Sequence, residues 1–251
     1  LSNALERGLD VLEYLAAHPS ARVSEVVTAL EVSRATAFRL MTVLEARGYV
    51  EHVRGEHGWR LGPGVSALAS SVDASSLVQL ANPALEQLHQ ETGETINLAV
   101  LQRNRIIWAS WREGSYALRL STTVGEAAPA HATAVGKAIL SVMAESEWAR
   151  LLPPEPFPQV TTHTHRRLSE LRVDIEAAQR RGWATDVEES ELSGVCVAAP
   201  ILGHDDRPVG AISISSVAGR MPAELRPLRG EAVAKWCDQI SAQLRPSARA
   251  S

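Results

Sequence analysis

The chain has 251 residues, is 45% hydrophobic and carries a formal net charge of −4 with a pI near 6.1. That length suits about two domains, and the mild acidity excludes nucleic-acid binding through a uniformly basic surface, leaving room only for a local patch. No run of about 18 apolar residues and no basic segment leading into an apolar run is present; with only Cys196 and Cys237 there is no disulfide framework, so a cytoplasmic protein without membrane contact is expected.

Asn3 to Ala17 reads as a first helix, with Asn3 and Glu6 spaced as a capping box and Leu5, Leu9, Leu12 and Leu15 as its apolar stripe. Ser24 to Leu30 is a second short helix, and Glu31-Val32 leaves room only for a tight turn. The third helix lies within Ser33 to Val50, between an N-capping Ser33 and a stop at Gly48. Ala37, Leu40, Met41 and Leu44 share its apolar face, and Arg34, Thr36, Phe38 and Arg39 lie off it. Alone, this is either an amphipathic core helix or the second helix of a helix-turn-helix. The adjoining segment favours the second: Tyr49–Val53 alternates like a strand, 54–58 is a turn and Trp59–Leu61 returns, which is the hairpin of a wing. Between Val32 and Gly64 five arginines face three glutamates, a mild basic excess.

Gly62-Pro63-Gly64 breaks the pattern, and Val65 to Ser76, rich in Ala and Ser, reads as a linker helix. Leu77 to Glu91 is an amphipathic helix with a kink expected at Asn82-Pro83. Beyond Gly93 the spacing predicts strands over 95–101, 106–111, 117–122, 183–188, 195–202 and 209–216, and helices over 133–142, 169–181 and 222–244. Strands arriving in hairpins among helices predict an α+β fold with an antiparallel sheet covered by helices. The expected domains are 1–62, a linker over 63–76, a second domain over 77–245 and a tail over 246–251.

Several stretches carry a resemblance along nearly the whole chain. SNALERGLDVLEYL, SRATAFRLMTVLEARGYV and WRLGPGVSALA in the first domain, and ETGETINLAVL, HATAVGKAIL, RGWATDVEES, GVCVAAPI and GAISISS in the second, stand in the order and spacing of the isocitrate-lyase-regulator (IclR) family of bacterial transcription factors. The resemblance implies a winged helix-turn-helix joined by a linker helix to a GAF-like ligand-sensing domain. It also implies homodimers or homotetramers on a roughly palindromic operator in double-stranded DNA, and a small organic-acid effector. Two positions depart from the family: Ala35 stands where a serine is frequent, and Val195 where a basic residue often precedes the cysteine.

On the DNA side the candidate residues are Ser33, Arg34, Thr36, Phe38, Arg39, Arg54 and Arg60. Arg34 opens the helix and can meet phosphate or guanine. Thr36 can donate to phosphate. Phe38 either touches a thymine methyl or packs inward. Arg39 bonds phosphate or base. Arg54 and Arg60 on the wing can meet phosphates or a minor groove.

On the effector side, Gly136-Lys137 is not a phosphate loop, because His131 stands at the first glycine position and Ala138 follows the lysine. The stretch is instead a helix start, where the N–H groups of Ala134 and Val135 either favour an anion or are satisfied by Thr133 or water. Asp186 and Glu188 alternate on one strand face and can accept from a ligand, bind a metal with Cys196, or be a solvated strand end. Cys196 is by default a small buried hydrophobe, and pocket-lining by resemblance. Ser213 and Ser215 share one face, which in an ordinary strand would meet solvent and here can line a cavity and donate to a carboxylate. Leu118 and Leu120 are candidate apolar walls. His163 and His165 could bind a metal but sit in a polar loop, and Cys196, His131 and Asp186 could make a thiol hydrolase triad. No recognised catalytic motif supports an enzyme. No catalytic residue, cofactor or metal is therefore expected; the rival readings are a Cys196-based enzyme and a sensor or scaffold that does not bind DNA.

Overall fold

The structure is a computed structural model that describes residues 2–53, 58–65 and 74–245, in two units divided between Asp73 and Ala74. In the N-terminal unit, α1 (Ser2–Ala17), α2 (Val23–Ala29) and α3 (Arg34–Ala46) precede a short hairpin of β1 (Val50–His52) and β2 (Trp59–Leu61). Ser33 caps α3, its hydroxyl accepting from the Thr36 N–H at 3.1 Å; such a cap contributes about 1 kcal/mol. Gly48 ends the helical segment in the left-handed region, at φ 73°, where a side chain would be strained. Val11, Leu15, Val26, Met41, Val50 and Trp59 form the core, with Leu40 and Leu44 packed against it. The hairpin is tied to the helices by Trp59, whose N–H donates to the Ala21 carbonyl at 2.8 Å. Within the hairpin Glu51 faces Arg60. Residues 54–57, and Arg54 with them, lie outside the described residues.

The C-terminal unit contains α4 (Ala74–Thr92), β3 (Thr95–Gln102), β4 (Arg105–Arg112), α5 (Ala134–Ser141), α6 (Leu168–Arg181), β5 (Ala184–Val187), β6 (Gly194–Leu202), β7 (Pro208–Val217) and α7 (Arg226–Leu244). The strands form one antiparallel sheet in the order β4-β3-β7-β6-β5. One face carries Ile96, Leu98, Val197, Ile212 and Ile214 against α4 and α7. The opposite face carries Ala99, Ala198 and Ala211, whose small side chains sit in one cluster with α5 and α6. Two layers of helices thus cover the sheet, as the α+β reading expects.

Three expectations change. Of the linker, residues 63–65 are helical and 66–73 lie outside the described residues. The next helix runs unbroken from Ala74 with Pro83 inside it, so the proline neither ends nor restarts it. Residues 117–122 are not a strand but irregular chain, fastened to β3 by the Thr95 hydroxyl, which donates to the Leu120 carbonyl at 2.7 Å.

The helix α5 is fixed by two constraints. A Cβ on Gly136 would fall 2.4 Å from the Ala130 carbonyl oxygen and 2.5 Å from its Cα, so only glycine lets the chain before the helix fold back this closely. At the next position Lys137 is fully buried, and its ammonium bonds Asp174 of α6 at 2.7 Å and Glu189, after β5, at 2.5 Å. His165 Nε2 meets the same Asp174 oxygen at 3.1 Å. Against the upward push of burial, the His165 hydrogen bond and the Lys137 ammonium hold the Asp174 carboxyl well below the usual carboxylate range. Burial pushes the Glu189 carboxyl up, with Lys137 opposing. The Asp174 bond raises His165. One His165, one Asp174 and one Glu189 ligand atom lie within 4.8 Å of one another, a grouping fit for a metal. The Lys137 ammonium already takes the place of the cation there, and His163 belongs to no such grouping among the described residues.

Removing one member of a buried ion pair leaves the other charge uncompensated. Lys137→Met is expected to cost about 3–5 kcal/mol in denaturant-induced unfolding, with most of the loss recovered in Lys137→Met/Glu189→Met. An unchanged midpoint in the single variant would show that the clamp contributes nothing. Gly136→Ala is expected to lower stability by about 1–3 kcal/mol through overpacking, read in the same assay.

Candidate nucleic-acid interface and effector cavity

In the N-terminal unit the turn between α2 and α3 is tight, with Glu31 at φ 49°. Ala37 and Met41 point α3 into the core, so the opposite face of the helix is left open. That face is lined by Arg34, Ala35, Phe38, Arg39, Thr42 and Val43. Phe38 is 61% exposed, which decides between the two roles open to it: it points outward. Among the described residues neither Arg34 nor Arg39 has a carboxylate partner. The Ser33 and Thr36 hydroxyls are 2.8 Å apart, so Thr36 is engaged in the cap as well as near the open face. Arg60 is held by Glu51 at 2.6 Å, which neutralises part of its charge. Thr42 and Val43 extend the open face beyond the residues singled out in the sequence; their i+4 spacing from Phe38 and Arg39 is the signal for them.

The C-terminal unit holds a cavity of about 210 Å³ where α5 begins. Its floor is the same sheet face that carries the three alanines beneath α5. Beyond the start of the helix that face turns polar: Asn97 lies opposite Ser213, Ser215 opposite Cys196, and Cys196 opposite Asp186. All five line the cavity. At the helix end, Thr133 caps α5 through the Gly136 N–H at 3.2 Å. The Ala134 and Val135 N–H groups have no acceptor among the described residues, and both residues line the cavity. The irregular segment after β4 closes one side with Leu120, Thr122 and Thr123.

The sheet pairs the predicted residues as a network. The Asn97 amide donates to Ser215 Oγ at 3.0 Å and to Ser213 Oγ at 3.4 Å, and its Oδ1 is buried without a partner. Asp186 Oδ1 accepts from the Glu189 and Ser190 N–H groups at 2.8 and 3.3 Å, and Oδ2 from the Ser190 hydroxyl. Burial raises the Asp186 carboxyl, with Ser190 opposing. Burial, and then the neighbouring Asp186, also push the Cys196 thiol up.

Two predicted residues are not brought here. β5 ends at Val187, and Glu188 stands beyond it at φ 62°, so Asp186 and Glu188 do not share a strand face. The Glu188 carboxylate instead accepts from the Ser193 N–H at 2.8 Å. Leu118 is 69% exposed, because its segment is not a strand with alternating faces. The imagined triad is not assembled either: the His131 ring packs by Phe157, Nε2 donates to the Pro158 carbonyl at 2.9 Å, and the residue lines a different cavity. Asn97, Thr133, Ser190, Glu126 and Glu191 line this first cavity without standing out in the sequence as candidates. Asn97 is legible in principle, as a polar residue alternating with Ile96 and Leu98.

Comparison with known proteins assigns both units. Residues 4–54 match the family model of the IclR helix-turn-helix domain, and residues 69–242 that of the bacterial transcriptional regulator IclR C-terminal domain. The chain is 30% identical over 245 residues to the HTH-type transcriptional repressor AllR of Escherichia coli K12, covering 97% of this chain and 90% of that one. It is similar to the solved structure of Thermotoga maritima IclR, with 27% identity, TM-score 0.64 and coverage of 97% and 99%. It is also similar to that of a transcriptional regulator from Rhodococcus sp. RHA1, with 28% identity, TM-score 0.62 and coverage of 96% and 97%. Among the described residues no helix is long and apolar enough to cross a membrane. The relatives regulate transcription, the matches run through both units, and the chain belongs to the IclR family of bacterial transcriptional regulators.

Proposed function

We propose that this regulator grips a roughly palindromic operator with α3 of two or more copies, as a homodimer or homotetramer, and releases or rearranges on it when a small molecule enters the C-terminal cavity. The observation that carries the DNA half is the open face of α3, with two arginines free of carboxylate partners among the described residues. Residues near the start of a recognition helix meet base edges and phosphates. Ser33 and Arg34 stand at that start, and Phe38 and Arg39 one turn on. Arg60 adds a weaker contact, being shared with Glu51.

The effector half rests on the cavity. Its α5 end offers the N–H groups of Ala134 and Val135, a natural seat for a carboxylate. Ser213, Ser215, Cys196, Asp186 and Leu120 line the remainder. Burial and the neighbouring Asp186 push the Cys196 thiol up, which disfavours the thiolate that a nucleophile needs. For the effector to change operator binding it must favour one arrangement of the DNA-binding units over another.

The test uses an operator selected from random-sequence DNA by the intact protein. Arg39→Ala is expected to weaken binding by about 1–3 kcal/mol if the residue reads a base, or to lower the salt slope by about one if it meets phosphate. No change in affinity or in slope removes Arg39 from the interface. Failure of the intact protein to enrich any sequence would count against the DNA reading itself.

A further inference from the structure

The cavity is chemically lopsided. Hydrogen-bond donors converge at the α5 end, where the Ala134 and Val135 N–H groups are open. Among the buried side-chain atoms of the described wall, the one without a partner is an acceptor. Asn97 is 1% exposed; its amide nitrogen is committed to Ser215 and Ser213, and its Oδ1 has no donor. A buried carbonyl oxygen left unmet carries a real desolvation cost. The neighbouring Asp186 already accepts from the N–H groups of its own loop and from the Ser190 hydroxyl, whereas Asn97 Oδ1 has no partner at all.

The charge on the wall points the same way. Its ionisable side chains include Asp186 within and the exposed Glu126 and Glu191, and among the described residues no lysine, arginine or histidine lines it. A plain carboxylate would satisfy the α5 end, leave Asn97 unmet, and bring an uncompensated negative charge among these carboxyls. The volume, about 210 Å³, is below the roughly 300–1,000 Å³ of pockets for drug-sized ligands, so the ligand has few heavy atoms.

We propose that the effector is a small acid that also carries a cationic N–H donor, an amino acid, with its ammonium group selected by Asn97 Oδ1. The inference rests on reading this cavity as the effector site. Asn97 is then a specificity residue for the effector.

Isothermal titration of the full-length protein with matched pairs tests it: glycine against acetate, alanine and β-alanine against propionate, 4-aminobutyrate against butyrate. At least one amino acid is expected to bind at least about tenfold more tightly than its des-amino partner, a difference of about 1.4 kcal/mol. Asn97→Leu is expected to erase that preference. Asn97→Asp keeps an oxygen at the position and is expected to retain or widen it, so loss of preference in both variants would overturn the role of Oδ1. Equal binding of every pair by the wild type overturns the inference while leaving the cavity as an acid-binding site. Absence of binding by both series, together with operator binding indifferent to all of them, overturns the inference and the effector reading together.

Discussion

A fully buried ammonium is the constraint on which the C-terminal unit depends. Lys137 has no exposed surface, and a charge in that position persists only if it is paired and hydrogen-bonded. Its two carboxylate partners come from α6 and from the loop after β5, so the ion cluster ties together three segments that are distant in sequence. The loop it holds is the one whose N–H groups bind Asp186, and the helix it holds is the one whose first turn faces the cavity. A buried cluster of this kind gives little net stability compared with an apolar replacement. What it supplies is position. The two walls of the cavity, α5 and the Asp186 loop, are referred to the same ammonium.

The cavity itself results from how one sheet face is composed. Ala99, Ala198 and Ala211 let α5 lie close, and Asn97, Ser213, Ser215 and Cys196 continue the same face past the point where the helix starts. A sheet face left uncovered by its helix must be filled by side chains, solvent or ligand. Here the side chains are too short to fill it, and Gly136 lets the chain ahead of α5 fold back onto the helix at Ala130.

Much of this is legible from periodicity. Ser33 and Gly48 bracket α3 because a capping hydroxyl and a left-handed glycine have local causes, and the two-residue period of Ser213 and Ser215 places them together whatever the strand packs against. Period fails where a strand stops early. Glu188 has the correct spacing from Asp186, yet the backbone leaves the strand at Val187 to form the turn that Asp186 binds, and Leu118 alternates with Leu120 in a segment that never pairs. The Lys137 cluster is not legible, since its partners lie 37 and 52 residues away and no local pattern joins them. Asn97 escapes for a different reason: in a strand covered on both faces a lone polar residue is easily taken as an interruption of the core, whereas its registry with Ser213 marks a site.

If the effector is as small as proposed above, the rigidity of this cavity becomes a functional matter. The best small ligands gain at most about 1.5 kcal/mol per heavy atom, so an acid of about six atoms has at most roughly 9 kcal/mol to bind with. Driving a two-state regulator from one arrangement almost fully to the other takes about 5.5 kcal/mol of differential affinity. Shared between the two cavities of a dimer, that is about 2.7 kcal/mol per ligand, so roughly 30% of the available interaction must be specific to one arrangement. Were α5 and the Asp186 loop free to follow the ligand, contacts would form about equally well in both arrangements and the equilibrium would not move. Walls anchored to a single buried ammonium resist adapting in that way. The α5 donors and the acceptors on the sheet then meet the ligand together in one arrangement and not in the other, which is the condition under which so small a molecule can change DNA binding.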